Sequence, residues 1–227
     1  ELNLITTEIN QEMYLNNISF SIKDRKYNPN NGLVQFTIKL KENSSNSDLD
    51  LDFNIREKNN PTEIIPCEVV QITYSDYIVT TEISGTWEAL SLTIKEKSEV
   101  SDNKYVKFYS DIRDIKIDDT LKKKSRNEYT KEVIDNEIND IKSKIEELNL
   151  DISDKKSEIE DINKKINLLE EDKKYQTESE IEVTENTISS NKTSIGNLEN
   201  GIRKNENSIK ELEEKINKLE EKKQDYR

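Results

Sequence analysis

From Ile134 to Leu219 the apolar residues recur at spacings of four and three, and this stripe limits what the chain can become more than any other feature. Its first stretch runs Ile134, Ile138, Ile141, Ile145, Leu148, Ile152, Ile159, Ile162, Ile166 and Leu169, with Lys155 the single polar intrusion. Its second runs Ile181, Ile188, Ile195, Leu198, Ile202, Ile209, Leu212, Ile216 and Leu219. Such spacings average about 3.5 residues per turn, so the stripe stays on one side of a helix only if that helix supercoils left-handedly around a partner. Most of the remaining residues are Glu, Lys, Asp, Asn and Ser, which suit a solvated surface and not a core. Residues 127–227 are therefore read as a coiled-coil stalk, a rod of roughly 150 Å if continuous.

With Ile138 at heptad position a, Ile145, Ile152, Ile159 and Ile166 follow at a, and Ile188, Ile195, Ile202, Ile209 and Ile216 continue the seam. Ile at both core positions favours trimers and Leu at d favours dimers, so these residues alone leave the number of strands open. In the second half, d runs Asn191, Leu198, Asn205, Leu212. Ile at a with Asn at d resembles a pattern of trimeric fibres and adhesins in which three Asn side chains converge on the axis and hold a chloride or similar anion. That likeness makes Asn191 and Asn205 candidate axial anion layers and points to a parallel homotrimer. The alternative is that they only hold register at some cost in stability.

Between Leu169 and Ile181 the beat falters through Lys173, Lys174, Tyr175 and Gln176. Local unwinding can absorb such a skip. Alternatively, Thr177 with Glu180 fits a capping box that starts a new helix, which would let the two halves fold back as an antiparallel hairpin. No Gly or Pro marks a turn near 173–180, and the Asn repeats suit a parallel bundle, so the expectation is a continuous parallel rod.

The first 118 residues change period from 3.5 to 2. Val34, Phe36, Ile38 and Leu40 alternate with polar residues, as do Leu49, Leu51, Phe53 and Ile55. Similar runs lie at Ile18–Ile22, Val70–Tyr74, Tyr77–Ile83, Leu90–Ile94, Tyr105–Phe108 and Ile112–Ile117, separated by turn-rich stretches such as Asn28–Gly32, Asn43–Asp48 and Asn59–Pro61. Seven or eight short strands without intervening helix predict an antiparallel β-sandwich over 1–120, joined through a basic linker, 121–126, to the stalk. The fold class is thus β + α. Trp87 reads as sandwich core, and Cys67 as a small apolar residue in a strand.

Composition narrows the chemistry. The chain has no histidine and one cysteine, which removes His-based nucleophile arrangements and thiolate clusters within one chain. A net charge of −13 argues against polyanionic partners such as nucleic acid or an anionic membrane surface. No apolar run reaches membrane-spanning length. Carboxylates abound, but none stands in a context that selects it for acid–base work, so the chain is not expected to be an enzyme and no cofactor is called for beyond the axial chloride. The chain reads as a piece of a longer protein.

The strands ISFSIKD (Ile18–Asp24), LVQFTIKLKE (Leu33–Glu42), LDLDFNIRE (Leu49–Glu57), SDYIVTTEIS (Ser75–Ser84) and ALSLTIKEK (Ala89–Lys97) resemble the N-terminal region of the baseplate upper proteins of tailed phages that infect low-GC Gram-positive bacteria. The resemblance covers roughly residues 1–120; the chain lacks several glycines that punctuate the family's turns. It implies a virion structural protein, made in the host cytoplasm, whose sandwich docks on other baseplate or tail proteins. The stalk would then project a receptor-binding protein toward the host surface. Two other expectations stand beside it: a bacterial surface adhesin, and a carbohydrate-binding sandwich, which Tyr74, Tyr77 and Trp87 aligned on one sheet face would support.

Overall fold

The computed structural model describes residues 5–42, 50–97 and 104–226; the turn expected at Asn43–Asp48, together with Leu49, lies outside them. The chain divides into two compact units, one ending at Val133 and the other running from Ile134 to Asp225.

The first unit is built on two sheets. Sheet A joins β1 (Met13–Leu15), β2 (Ile18–Asn28), β3 (Leu33–Glu42), β7 (Asp76–Glu82) and β6 (Cys67–Gln71) in the order β1-β2-β3-β7-β6, and β10 (Lys116–Ile117) pairs in parallel with the far end of β2. Sheet B joins β5 (Asn60–Ile65), β4 (Leu51–Glu57), β8 (Ala89–Glu96) and β9 (Val106–Asp111) in the order β5-β4-β8-β9. Alternate residues of both sheets meet in one core: Phe20, Ile22, Val34, Phe36 and Ile38 from A, and Ile55, Leu90, Leu92, Ile94 and Phe108 from B. These side chains are almost fully buried, each contributing about 1.5–3 kcal/mol of burial. A β-sandwich N-terminal part is compatible with this arrangement.

A bulge between Ile22 and Asp24 changes which residues of β2 face the core. Beyond it Arg25 pairs with Phe36 and Tyr27 with Val34, while Lys26 pairs with Gln35 on the opposite face of sheet A. Regular alternation stops at Ile22 in the sequence, yet the strand continues to Asn28. The turn after β2 closes on Gly32, which has a φ of +72° and sits so near Ile83 that a Cβ would lie 2.3 Å from the Ile83 carbonyl oxygen. Only glycine fits there.

The expected long parallel, trimeric coiled-coil stalk is not what the helical residues form. Helix α1 (Arg126–Asp172) ends in a single 3-10 turn at Lys173–Tyr175, and α2 (Glu178–Gln224) returns antiparallel to it. Pairing across the hairpin runs from Lys223 with Asp135 and Lys215 with Glu137 (2.7 Å) to Asn205 with Asp151 (2.6 Å) and Lys173 with Glu185 (3.3 Å). Each helix has 47 residues, about 70 Å of rise. The turn needs no glycine or proline because Gln176 (ψ 153°) and Thr177 (ψ 163°) adopt extended backbone at negative φ, and Thr177 caps the restarting helix. The backbone N–H of Thr177 donates to Glu180 at 2.7 Å, one arm of the capping box; this hydrogen bond and that from the Thr177 hydroxyl hold the Glu180 carboxyl below its ordinary value.

Zero-length carbodiimide coupling should join Glu137 to Lys215 within single chains, in a yield independent of protein concentration; on a continuous helix the two would be roughly 115 Å apart and no intrachain product could form. Gly32→Ala should destabilise the sandwich by about 3 kcal/mol in urea melts read by Trp87 fluorescence.

Candidate functional site

The outer face of sheet A is covered by the first two turns of α1, within the same compact unit. Ser125 and Glu128 cap the helix reciprocally: the Ser125 N–H donates to Glu128 at 2.8 Å, and the Glu128 N–H donates to the Ser125 hydroxyl at 3.3 Å. Tyr129 and Val133 then pack on Ile72 and Ile78. Beside this apolar contact, Glu132 takes Lys26 at 2.5 Å, Lys124 at 2.7 Å and the Gln35 amide at 2.8 Å. Burial by itself would raise the Glu132 pKa, but the hydrogen bonds from Lys124 and Lys26 outweigh it and hold the carboxyl below its ordinary value. For Lys26, burial works to lower the pKa and the Glu132 and Asp24 carboxylates more than offset it, so the ammonium titrates above its ordinary value.

In the hairpin the polar seam residues find each other. Lys155, the one polar residue in the first seam, bridges to Asp151, which also receives the Asn205 amide. Gly201 lies against the Lys155 stem, its would-be Cβ 2.9 Å from Cε. Of the residues expected to form a three-chain seam, Ile138, Ile152, Ile166, Ile188 and Ile202 are buried, and Ile145, Ile159, Ile195, Ile209 and Ile216 are half-buried. The candidate anion layers are placed differently: Asn205 is engaged by Asp151, and the Asn191 amide nitrogen is buried with no hydrogen-bond partner among the described residues. A single-chain hairpin does not bring three copies of either Asn to one axis.

The aromatics that a glycan-binding reading relied on do not share a face. Trp87 is 4% exposed and stands edge-on to Tyr27 with ring centres 5.2 Å apart, Tyr77 is buried against Phe53, and Tyr74 is exposed at a turn. Cys67 is half-buried, and burial pushes its thiol up from the ordinary value. A cleft of about 260 Å³ between the β4–β5 and β7–β8 ends is lined by Glu57, Glu63, Glu82 and Trp87. Its carboxylates are already engaged: Glu57 accepts the Asn59 and Glu88 N–H groups, Glu63 the Asn60 amide, and Glu82 pairs with Lys123. Among the described residues no three His, Cys, Asp or Glu side chains are grouped as metal ligands.

One group that sequence reasoning passed over is Tyr105, immediately before β9, with Lys107 and Tyr109 on it, where two exposed rings bracket a lysine. Its signal was the alternation of aromatic and basic residues along one strand.

No protein-family model matches this sequence, and no curated relative does. A DUF4426 family protein from Pseudomonas aeruginosa PAO1 is a distant structural neighbour, with 14% identity over 45% of this chain and 93% of that one and a TM-score of 0.32. That likeness is too loose to carry an argument.

Glu132→Gln should lower stability by about 2 kcal/mol at neutral pH, because two ammonium groups lose their shared carboxylate. Glu132 has a depressed folded pKa, so its contribution is complete above the ordinary glutamate value and fades as pH falls through the folded one. The raised Lys26 acts at the other end: its contribution is complete below the ordinary lysine value and is lost as pH rises through the folded one. Denaturant melts of both proteins should show a stability gap that is flat between these limits and narrows in acid and in strong base.

Proposed function

We propose that this chain is a structural adaptor of a phage tail baseplate, docking through its sandwich and using its helical hairpin as a polar spacer. The supporting observation is the hairpin itself. Two helices of 47 residues bury little beyond one mutual isoleucine stripe, and their remaining surface is charged. Such an element supplies length and a solvated exterior, properties an adaptor uses. The strands that resemble the baseplate upper proteins all fall in the sandwich, which is the part assigned to docking. Because each helix covers the other's stripe, any three-fold assembly in this reading forms through the sandwich and not through the helices.

Antibodies raised against the purified chain test the proposal by immunogold electron microscopy of tailed-phage particles and of their low-GC Gram-positive hosts. Label confined to the tail baseplate supports the adaptor. Label on the envelope of uninfected cells overturns it in favour of a bacterial surface adhesin.

A further inference from the structure

Tyr105, Lys107 and Tyr109 stand at alternate positions, so they share the face of sheet B opposite Val106 and Phe108, which are in the core. The two rings are 55% and 37% exposed, and the Lys107 ammonium lies 5.7 Å from the centre of one and 6.0 Å from the centre of the other. On the neighbouring strand β8, Ser91 pairs with Tyr109 and Thr93 with Lys107; on β4, Arg56 pairs with Ser91 and Asn54 with Thr93. Small hydroxyl residues on the middle strand, with long side chains on both flanking strands, make a shallow trough. One bank is aromatic, and each bank holds a cation. Thr93 is 8% exposed, and its buried hydroxyl has no hydrogen-bond partner among the described residues.

The charges on this face do not cancel. Lys95 is matched by Asp52 at 3.1 Å, whereas neither Arg56 nor Lys107 has a carboxylate partner among the described residues, in a chain of net charge −13. Screening over about 8 Å at physiological salt means that a bound ligand responds to these near groups more than to the total charge. Exposed single tyrosines are ordinary on a protein surface. Two on one face, with a cation between them and hydroxyl and amide groups alongside, match a ligand that offers flat C–H faces, hydroxyls and a low density of negative charge.

We propose that this face of sheet B binds an acidic oligosaccharide, with Tyr105 and Tyr109 stacking on sugar rings and Lys107 and Arg56 receiving carboxylates. The backbone positions of Tyr105 and Tyr109 are about 13 Å apart along the chain, and the ring centres, each within 6.0 Å of the same ammonium, lie closer together than that, room for a short run of sugars. A single-stranded nucleic acid also stacks on aromatics, but it needs a groove of positive charge along its whole backbone. Two uncompensated cations favour the sugar.

The test is isothermal titration of the full chain with oligogalacturonate, with oligothymidylate and polyglutamate as competing polyanions. The Tyr105→Ala/Tyr109→Ala double variant should bind about tenfold more weakly or worse, and Lys107→Gln several-fold more weakly with a smaller salt dependence. Tyr74→Ala, which removes an exposed ring from a turn after β6, should bind like the unaltered chain. The proposal is overturned if the unaltered chain gives no binding heat with oligogalacturonate, if the double tyrosine variant binds equally well, or if either of the other polyanions binds more tightly.

Discussion

An apolar stripe along a long polar helix must be covered, and the way this chain meets that demand decides much of its architecture. Each 47-residue helix carries one isoleucine-rich line and little else to bury. Covering it with a second chain would carry the entropy of association, whereas a helix tethered through a few residues is present at an effective concentration in the millimolar range. The structure takes the tethered route. A 3-10 turn, two extended residues and a capped restart bring the second stripe onto the first. Polar seam residues follow that geometry, Lys155 and Asn205 both converging on Asp151, a layer that makes sense only when the helices run in opposite directions.

Sheet A is the second organising element, because both of its faces are covered. Its inner face meets sheet B in the main core, and its outer face receives the first two turns of α1. That outer face is mixed: Ile72 and Ile78 meet Tyr129 and Val133, and beside them Gln35 and Thr37 are nearly inaccessible and Glu132 is engaged by two lysines. The bulge in β2 is what places Lys26 there, since unbroken alternation from Ile22 would point Lys26 to the sandwich interior. A spacing defect in one strand thereby positions the ion pair that anchors the start of α1.

Legibility differed by element. The central strands were readable because Phe36, Ile38, Ile55 and Leu92 alternate cleanly with polar residues. β5 was not: Asn60-Pro61 reads as a turn, yet an exposed edge strand tolerates both residues. β2 was read short at its bulge. In the helices the seam residues were evident, but their partner was not, because a heptad stripe records that it must be buried and not by what. The Thr177–Glu180 capping box was a visible sign of the turn, set against the missing glycine and proline; the 3-10 turn and the extended Gln176 made both unnecessary. Trp87 reads as core of the expected sandwich and is buried there, whereas the Tyr105–Lys107–Tyr109 alternation carries no weight until the sheet puts it on an open face beside Ser91 and Thr93.

What the sequence by itself determined is therefore local: which residues alternate, which recur at helical spacing, where a helix begins, and that the surface is acidic and highly charged. Those follow from periodicity and side-chain chemistry, which act within a few residues of one another. Tertiary structure alone decided that α2 turns back on α1, that Lys26 meets Glu132, and that two tyrosines and two cations share a face. Each of these joins residues far apart in the chain, and their meeting depends on bulges, turn geometry and sheet order, which no single stretch of residues encodes.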